Sequence, residues 1–198
     1  MQTMALRMRR KGIQVFIIAP LKGHEFYRAA RNVGGEFIQI SPASKNCINI
    51  MEIRKVDNSV NELLDGPTLD ASALAGKIQR LHIFFSLLIP DMSHEEKQLL
   101  DEALIKTYAR KGITHKNESL TDPQHPEQYK KMPILEDVYN VLLESEDTKR
   151  LAHILNRLVH GSASSFNQQT NVDLTNKYTV LDISEPVSYT HLTLPTIA

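Results

Sequence analysis

The hydrophobic pattern changes its period along the chain, and those changes lay out the elements. Met1, Met4, Ala5 and Met8 recur at helical spacing, and Gly12 suits a helix C-terminus, so residues 1–11 read as the back half of a helix. From Ile13 to Pro42, IQVFIIAPLKGHEFYRAARNVGGEFIQISP, a nearly unbroken apolar run gives way to a polar turn holding Lys22, Gly23 and Glu25. A helical segment follows, closed by Gly34-Gly35, and then a second β-rich run, Glu36 to Ser41. A continuous apolar strand is what a parallel sheet covered on both faces needs. Ligands of such sheets bind at the carboxyl ends of the strands, where Lys22 and Glu25 fall.

The middle of the chain is largely helical. Lys45 to Arg54 (KNCINIMEIR) alternates loosely, as an extended connection or short strand, and Asp57 to Ala75, with Gly66-Pro67, reads as a loop. Gly76 to Ile89 is an apolar helix stopped by Pro90. Ser93 followed by Glu96 is a capping box that opens a helix running through Arg110 and ending at Gly112. Leu99, Leu100, Ala103, Leu104 and Tyr108 give that helix one apolar face. Ile113 to Lys131, with Pro123 and Pro126, reads as a loop. Pro133 suits the first turn of a helix to about Glu144, and another spans Glu146 to His160. Gly161 to Asn176 is a loop of small residues and amides, and Lys177 to Ser184 (KYTVLDIS) is a strand. The expected class is α/β: a piece of parallel sheet with a helical insertion between its second and third visible strands. The expected divisions are 1–56 for the first sheet piece, 57–160 for the insertion, and 161–186 for the loop and return strand. The terminal segment, 187–198, stands apart.

Composition narrows the function classes. The 198 residues are 41% hydrophobic and 23% charged with a formal net charge of +0, so no global basic field points to nucleic acid. Cys47 is the only cysteine, which excludes a disulfide framework. The longest apolar run, Ile83 to Ile89 with Ser86 inside it, falls far short of the ~20 residues that span a bilayer. Arg7, Arg9, Arg10 and Lys11 are not followed by the apolar core of a signal peptide. Val187 to Thr196 resembles a translated sequencing adapter, so residues 187–198 are left out of functional reasoning; the other reading is an ordinary frayed tail.

Candidate chemistry gathers around the first turn. Glu25, just past an apolar strand, can polarise a water, and Lys22 can meet phosphate oxygens. Equally, the turn can be a solvated one whose Glu25 favours the helix N-terminus by its charge. His153 and His160 are seven apart with no third ligand suggested. Asp182 ends a strand where the magnesium-side acid of a nucleotide site could stand, but the strand is only partly a buried hydrophobic run and Ile183 follows where a catalytic acid is usual; Asn167, Asn171 and Asp173 are accounted for by turn formation. The phosphate-cradling pattern G-x-x-x-x-G-K-[ST] does not occur in the chain.

Several ordered segments together carry a resemblance. IIAPLKGHEF, GGEFIQISP, NCINIMEIR, MPILEDVYNVLLE and GSASSFNQQTNVDLTNKYTVLDIS closely resemble the part that follows the phosphate loop in the conjugative transport ATPases of type IV secretion. These are the fourth component of the VirB series, found among other places in conjugative transposons of Gram-positive bacteria. The resemblance covers Met1 to about Glu185. It implies a partial RecA-like P-loop NTPase sheet, ATP and Mg²⁺ as cofactors in the intact parent, and assembly as a homo-hexamer. It further implies other secretion components as partners, an indirect relation to DNA, and a cytoplasmic location at the inner face of the membrane. The phosphate loop would precede Met1, and the second acidic motif would follow Ser184. Glu25 matches the family's acid after the strand, with Lys22 and Gly23 at the edge of the nucleotide site. Ala19 stands where the family often has aspartate. Two alternatives stay open: a DNA-pumping coupling protein of the same superfamily, and a non-catalytic helical module that docks partners.

Overall fold

A computed structural model describes residues 2–20, 23–41, 44–54, 72–161 and 166–183. Lys22, most of the loop expected over 57–75, and the segment 187–198 lie outside the described residues. Among those described, the chain divides into two compact units. One takes the residues up to Cys47 and from Asn171 onward; the other takes those from Ile48 to Thr170.

The first unit is the α/β piece. Helix α1 spans Gln2–Arg10, strand β1 Val15–Ala19, helix α2 Gly23–Asn32 and strand β2 Glu36–Gln39. The return strand of this unit, here the last of five and therefore β5, spans Tyr178–Asp182. α1 ends as its glycine predicts. Gly12 has φ +80°, its N–H donates to the Arg9 carbonyl at 3.0 Å, and the Ile13 N–H donates to that of Met8 at 3.1 Å. Only a residue without a Cβ adopts that left-handed turn at little cost.

All three strands are parallel, in the order β1-β5-β2. Among the described residues the strand that arrives last in sequence therefore lies in the middle, and β1, whose apolar run suits a sheet covered on both faces, is paired on one side. Val15 and Ala19 face a small core with Ala5, Ala30, Tyr178 and Val180, whereas Phe16 and Ile18 are 50% and 60% exposed. The strand expected to be only partly buried is the enclosed one: Tyr178, Thr179, Val180 and Asp182 are all buried. An apolar run thus marked a strand without marking its place in the sheet.

The second unit is helical. It holds α3 (Ala73–Leu88), α4 (His94–Arg110), α5 (Leu135–Leu142) and α6 (Lys149–Val159), with a short antiparallel hairpin between α4 and α5. The hairpin, β3 (Thr121–Asp122) with β4 (His125–Tyr129), replaces the expected loop. Pro123 falls in its turn, where the Gln124 N–H donates to Asp122 Oδ1 at 2.9 Å, and Pro126 is tolerated because a two-stranded ribbon is all edge. α3 begins three residues before Gly76 because the Ser72 hydroxyl caps it, accepting from the Ala75 N–H at 3.3 Å. α4 ends in the same glycine motif as α1, with Gly112 at φ +70° and Ile113 fully buried beneath it. Leu74, Phe85, Leu100, Leu104, Leu135 and Leu155 belong to one continuous core. The segment 44–54 forms no strand; its Met51 and Ile53 enter that core, and the Tyr108 hydroxyl donates to the Met51 carbonyl at 2.5 Å.

Candidate functional site

Parallel register brings three chain positions to one edge of the sheet. Ala19 of β1, Asp182 of β5 and Gln39 of β2 are direct neighbours at the carboxyl ends of their strands. Beyond them the Ile40 N–H donates to the Asp182 carbonyl at 2.8 Å, and the Ile183 N–H to that of Ala19 at 3.2 Å. In an open α/β sheet this edge is the side where ligands are met.

Three of the residues singled out from the sequence are described there: Glu25, Gly23 and Asp182. Glu25 lies in the first turn of α2 and is exposed, and its carbonyl accepts from Gln2 Nε2 at 2.8 Å. Gly23 begins the helix. A Cβ added at Gly23 would collide with the carboxyl group of Asp182, so the absence of a side chain is what lets that acid approach the helix end. Asp182 is 4% exposed. Its closeness to Gly23 was not legible from spacing, because the two are separated by the whole helical unit in sequence.

The amide-rich loop does more than turn. Asn171 binds the segment that leaves this unit: its Oδ1 accepts from the Cys47 N–H at 2.7 Å, its Nδ2 donates to the Lys45 carbonyl at 2.7 Å, and its N–H donates to the Cys47 carbonyl at 3.2 Å. The outgoing and returning chains are thereby clamped side by side. Asn167, in the helical unit, accepts from the Glu136 N–H at 2.8 Å and so ties down the start of α5. Asp173 behaves as expected, accepting from the Thr175 N–H and hydroxyl at 2.8 and 2.6 Å; the hydroxyl bond above all holds its carboxyl below the usual range.

The remaining candidates do not converge on this edge. The His160 ring packs against Tyr139, 5.3 Å between centroids, and His153 is exposed. Among the described residues no group of three or more His, Cys, Asp or Glu is placed to hold a metal. No described helix is long and apolar enough to cross a membrane. An open depression of about 650 Å³ in the same unit is lined by Leu6, Arg7, Arg9, Arg10 and Val33, and none of the candidate residues lines it.

No family model matches the sequence, and no curated protein matches it either. Among solved structures, the VirB4 of Thermoanaerobacter pseudethanolicus is similar to this chain with a TM-score of 0.72 and 26% sequence identity. The match covers 92% of this chain and 63% of that one, so the chain spans less than two thirds of that protein's length. The small parallel sheet, with its helices and its helical insertion, is part of a RecA-like α/β fold, as expected. A match that runs through nearly all of the chain at that identity, joined to the ordered segments noted in the sequence, makes this a VirB4-like protein.

Proposed function

We propose that this chain contributes part of the ATPase motor of a type IV secretion or conjugation system. The observation that carries the reading is the likeness to a VirB4 across 92% of the chain. The position of Glu25 agrees with it: an exposed carboxylate in the first helical turn beyond a strand of a parallel sheet. The described residues do not make a nucleotide cradle on their own. They offer no metal-holding cluster, and the end of α2 that a phosphate would approach is met by the Asp182 carboxyl group. In this reading ATP and Mg²⁺ are held in the parent chiefly by groups other than the described residues.

The chain's own contribution is then Glu25, which accepts a hydrogen bond from the attacking water and orients it. Gly23 is read as an edge of that site, and Lys22 is assigned to the same edge from the sequence alone. The parent is read as a homo-hexamer that works with other secretion components at the cytoplasmic face of the membrane and moves DNA or protein substrates.

The test is Mg²⁺-dependent ATP hydrolysis, measured on the 198-residue chain and on the parent protein. The chain alone is expected to show negligible turnover. The parent is expected to hydrolyse ATP, with Glu25→Gln lowering kcat by roughly 10²-fold or more. A parent that neither binds nor hydrolyses ATP would end the motor reading. Turnover by the chain alone would show that the cradle lies within it.

A further inference from the structure

The edge of the sheet holds an acid that the motor reading leaves without a task. Asp182 ends the central strand, is almost wholly buried, and lies with its carboxyl group against the first residue of α2. The first N–H groups of an α-helix have no partner within the helix and carry the positive end of its dipole. A buried carboxylate is costly unless such donors surround it. Gly23 opens the space for that approach, since any side chain there would strike the acid.

We infer that the Asp182 carboxylate is the built-in anion at the N-terminus of α2, a positioning residue that fixes the turn carrying Glu25 and closes that helix end to phosphate. The strand supplies the rigidity. β5 is paired on both sides: the Asp182 carbonyl accepts from Ile40, just after β2, and the next residue, Ile183, donates to the Ala19 carbonyl of β1. Glu25 follows two residues after Gly23 and inherits its place from that anchor. The Gln2 bond to the Glu25 carbonyl, 2.8 Å, steadies the same turn from α1. The effect on catalysis rests on the motor reading; the capping of α2 does not.

Amide hydrogen exchange on the chain itself reads the capping directly. The amides of Gly23 to Glu25 are expected to be protected in the wild type. Asp182→Ala is expected to speed their exchange roughly tenfold, the size of a lost cap. The amides of Ile17 and Phe37, on the flanking strands, are expected to stay unchanged. Asp182→Asn, which keeps an acceptor oxygen, is expected to restore most of the protection. Unprotected first-turn amides in the wild type, or exchange that rises equally in the strands, would refute the assignment. Added inorganic phosphate is expected to leave the wild-type Gly23 and Glu25 amide resonances unmoved; a phosphate-dependent shift there would refute it too. In the parent, Asp182→Ala is expected to lower kcat with the KM for ATP unchanged, and to add nothing to Glu25→Gln. Losses that multiply would show that Asp182 does not act through Glu25. A wild-type parent without ATPase activity would remove the motor reading, while the exchange result would still decide the capping.

Discussion

Lys77 shows how little a sequence says about the surroundings of a single side chain. It is an ordinary lysine in an amphipathic stretch, yet burial first, and then the Arg80 guanidinium, lower its pKa to about 8, with Arg54 acting in the same direction and Glu52 against it. The sign of the consequence follows from proton counting. Between about pH 8 and the unfolded value of 10.5 the unfolded chain holds a proton that the folded chain has released, so stability rises with pH through that window. Below about pH 8 both states are protonated, and the folded state bears the whole cost of a half-buried ammonium. Thermal melts from pH 7 to 9.5 are expected to show a rising midpoint in the wild type. Lys77→Met is expected to raise the midpoint at pH 7 and flatten the rise; an unchanged slope would exclude Lys77 as its source. Asn171 and Asp182 make the same point. Residue type announced turn chemistry at one and strand position at the other, but the partners, Lys45 with Cys47 and then Gly23, come from distant parts of the chain.

Helix ends were the most legible elements, because capping is chemistry between near neighbours. The Ser93 hydroxyl accepts from the Glu96 N–H at 3.1 Å, and Glu96 Oε2 accepts from the Ser93 N–H at 2.9 Å, as the S-x-x-E spacing predicts. That backbone bond first, and Arg150 after it, hold the Glu96 carboxyl below the usual range. Arg150 also reaches Asp91 at 2.6 Å, so one arginine of α6 braces the start of α4. Ser93→Ala is expected to cost about 1 kcal/mol in urea unfolding. A change within a few tenths would mean that the Glu96–Arg150 pair holds the helix start without the cap. The hairpin is hidden from the sequence for the opposite reason. Two prolines and polar residues dominate 113–131 locally, whereas Leu120, buried in the helical core, and the partly buried Tyr129 tether the ribbon at its two ends. That tether is a tertiary contact, invisible to composition.

At the scale of the molecule, the two units are unequal. Among the described residues the helical unit carries a continuous core drawn from four helices, with Leu74, Leu100, Leu104 and Leu142 almost fully buried, while the sheet unit has a smaller cluster around Ala30 and Val180. Buried apolar area is the main favourable term in folding, so the helical unit is expected to be stable by itself. A polypeptide of residues 48–170 should melt in one cooperative transition; a gradual loss of helicity would mean that its core needs the rest of the chain. What the sequence determined by itself was local: the period of each element, the glycine stops, the serine cap and the ordered segments that mark a VirB4-like chain. All of these depend on residues within a turn or two of one another. Only the tertiary structure decided that, among the described residues, β5 lies between β1 and β2 with Phe16 and Ile18 exposed on β1, and that Asp182 meets the start of α2. Strand order and cross-chain contacts are settled by burial summed over distant segments, and no local pattern encodes that sum.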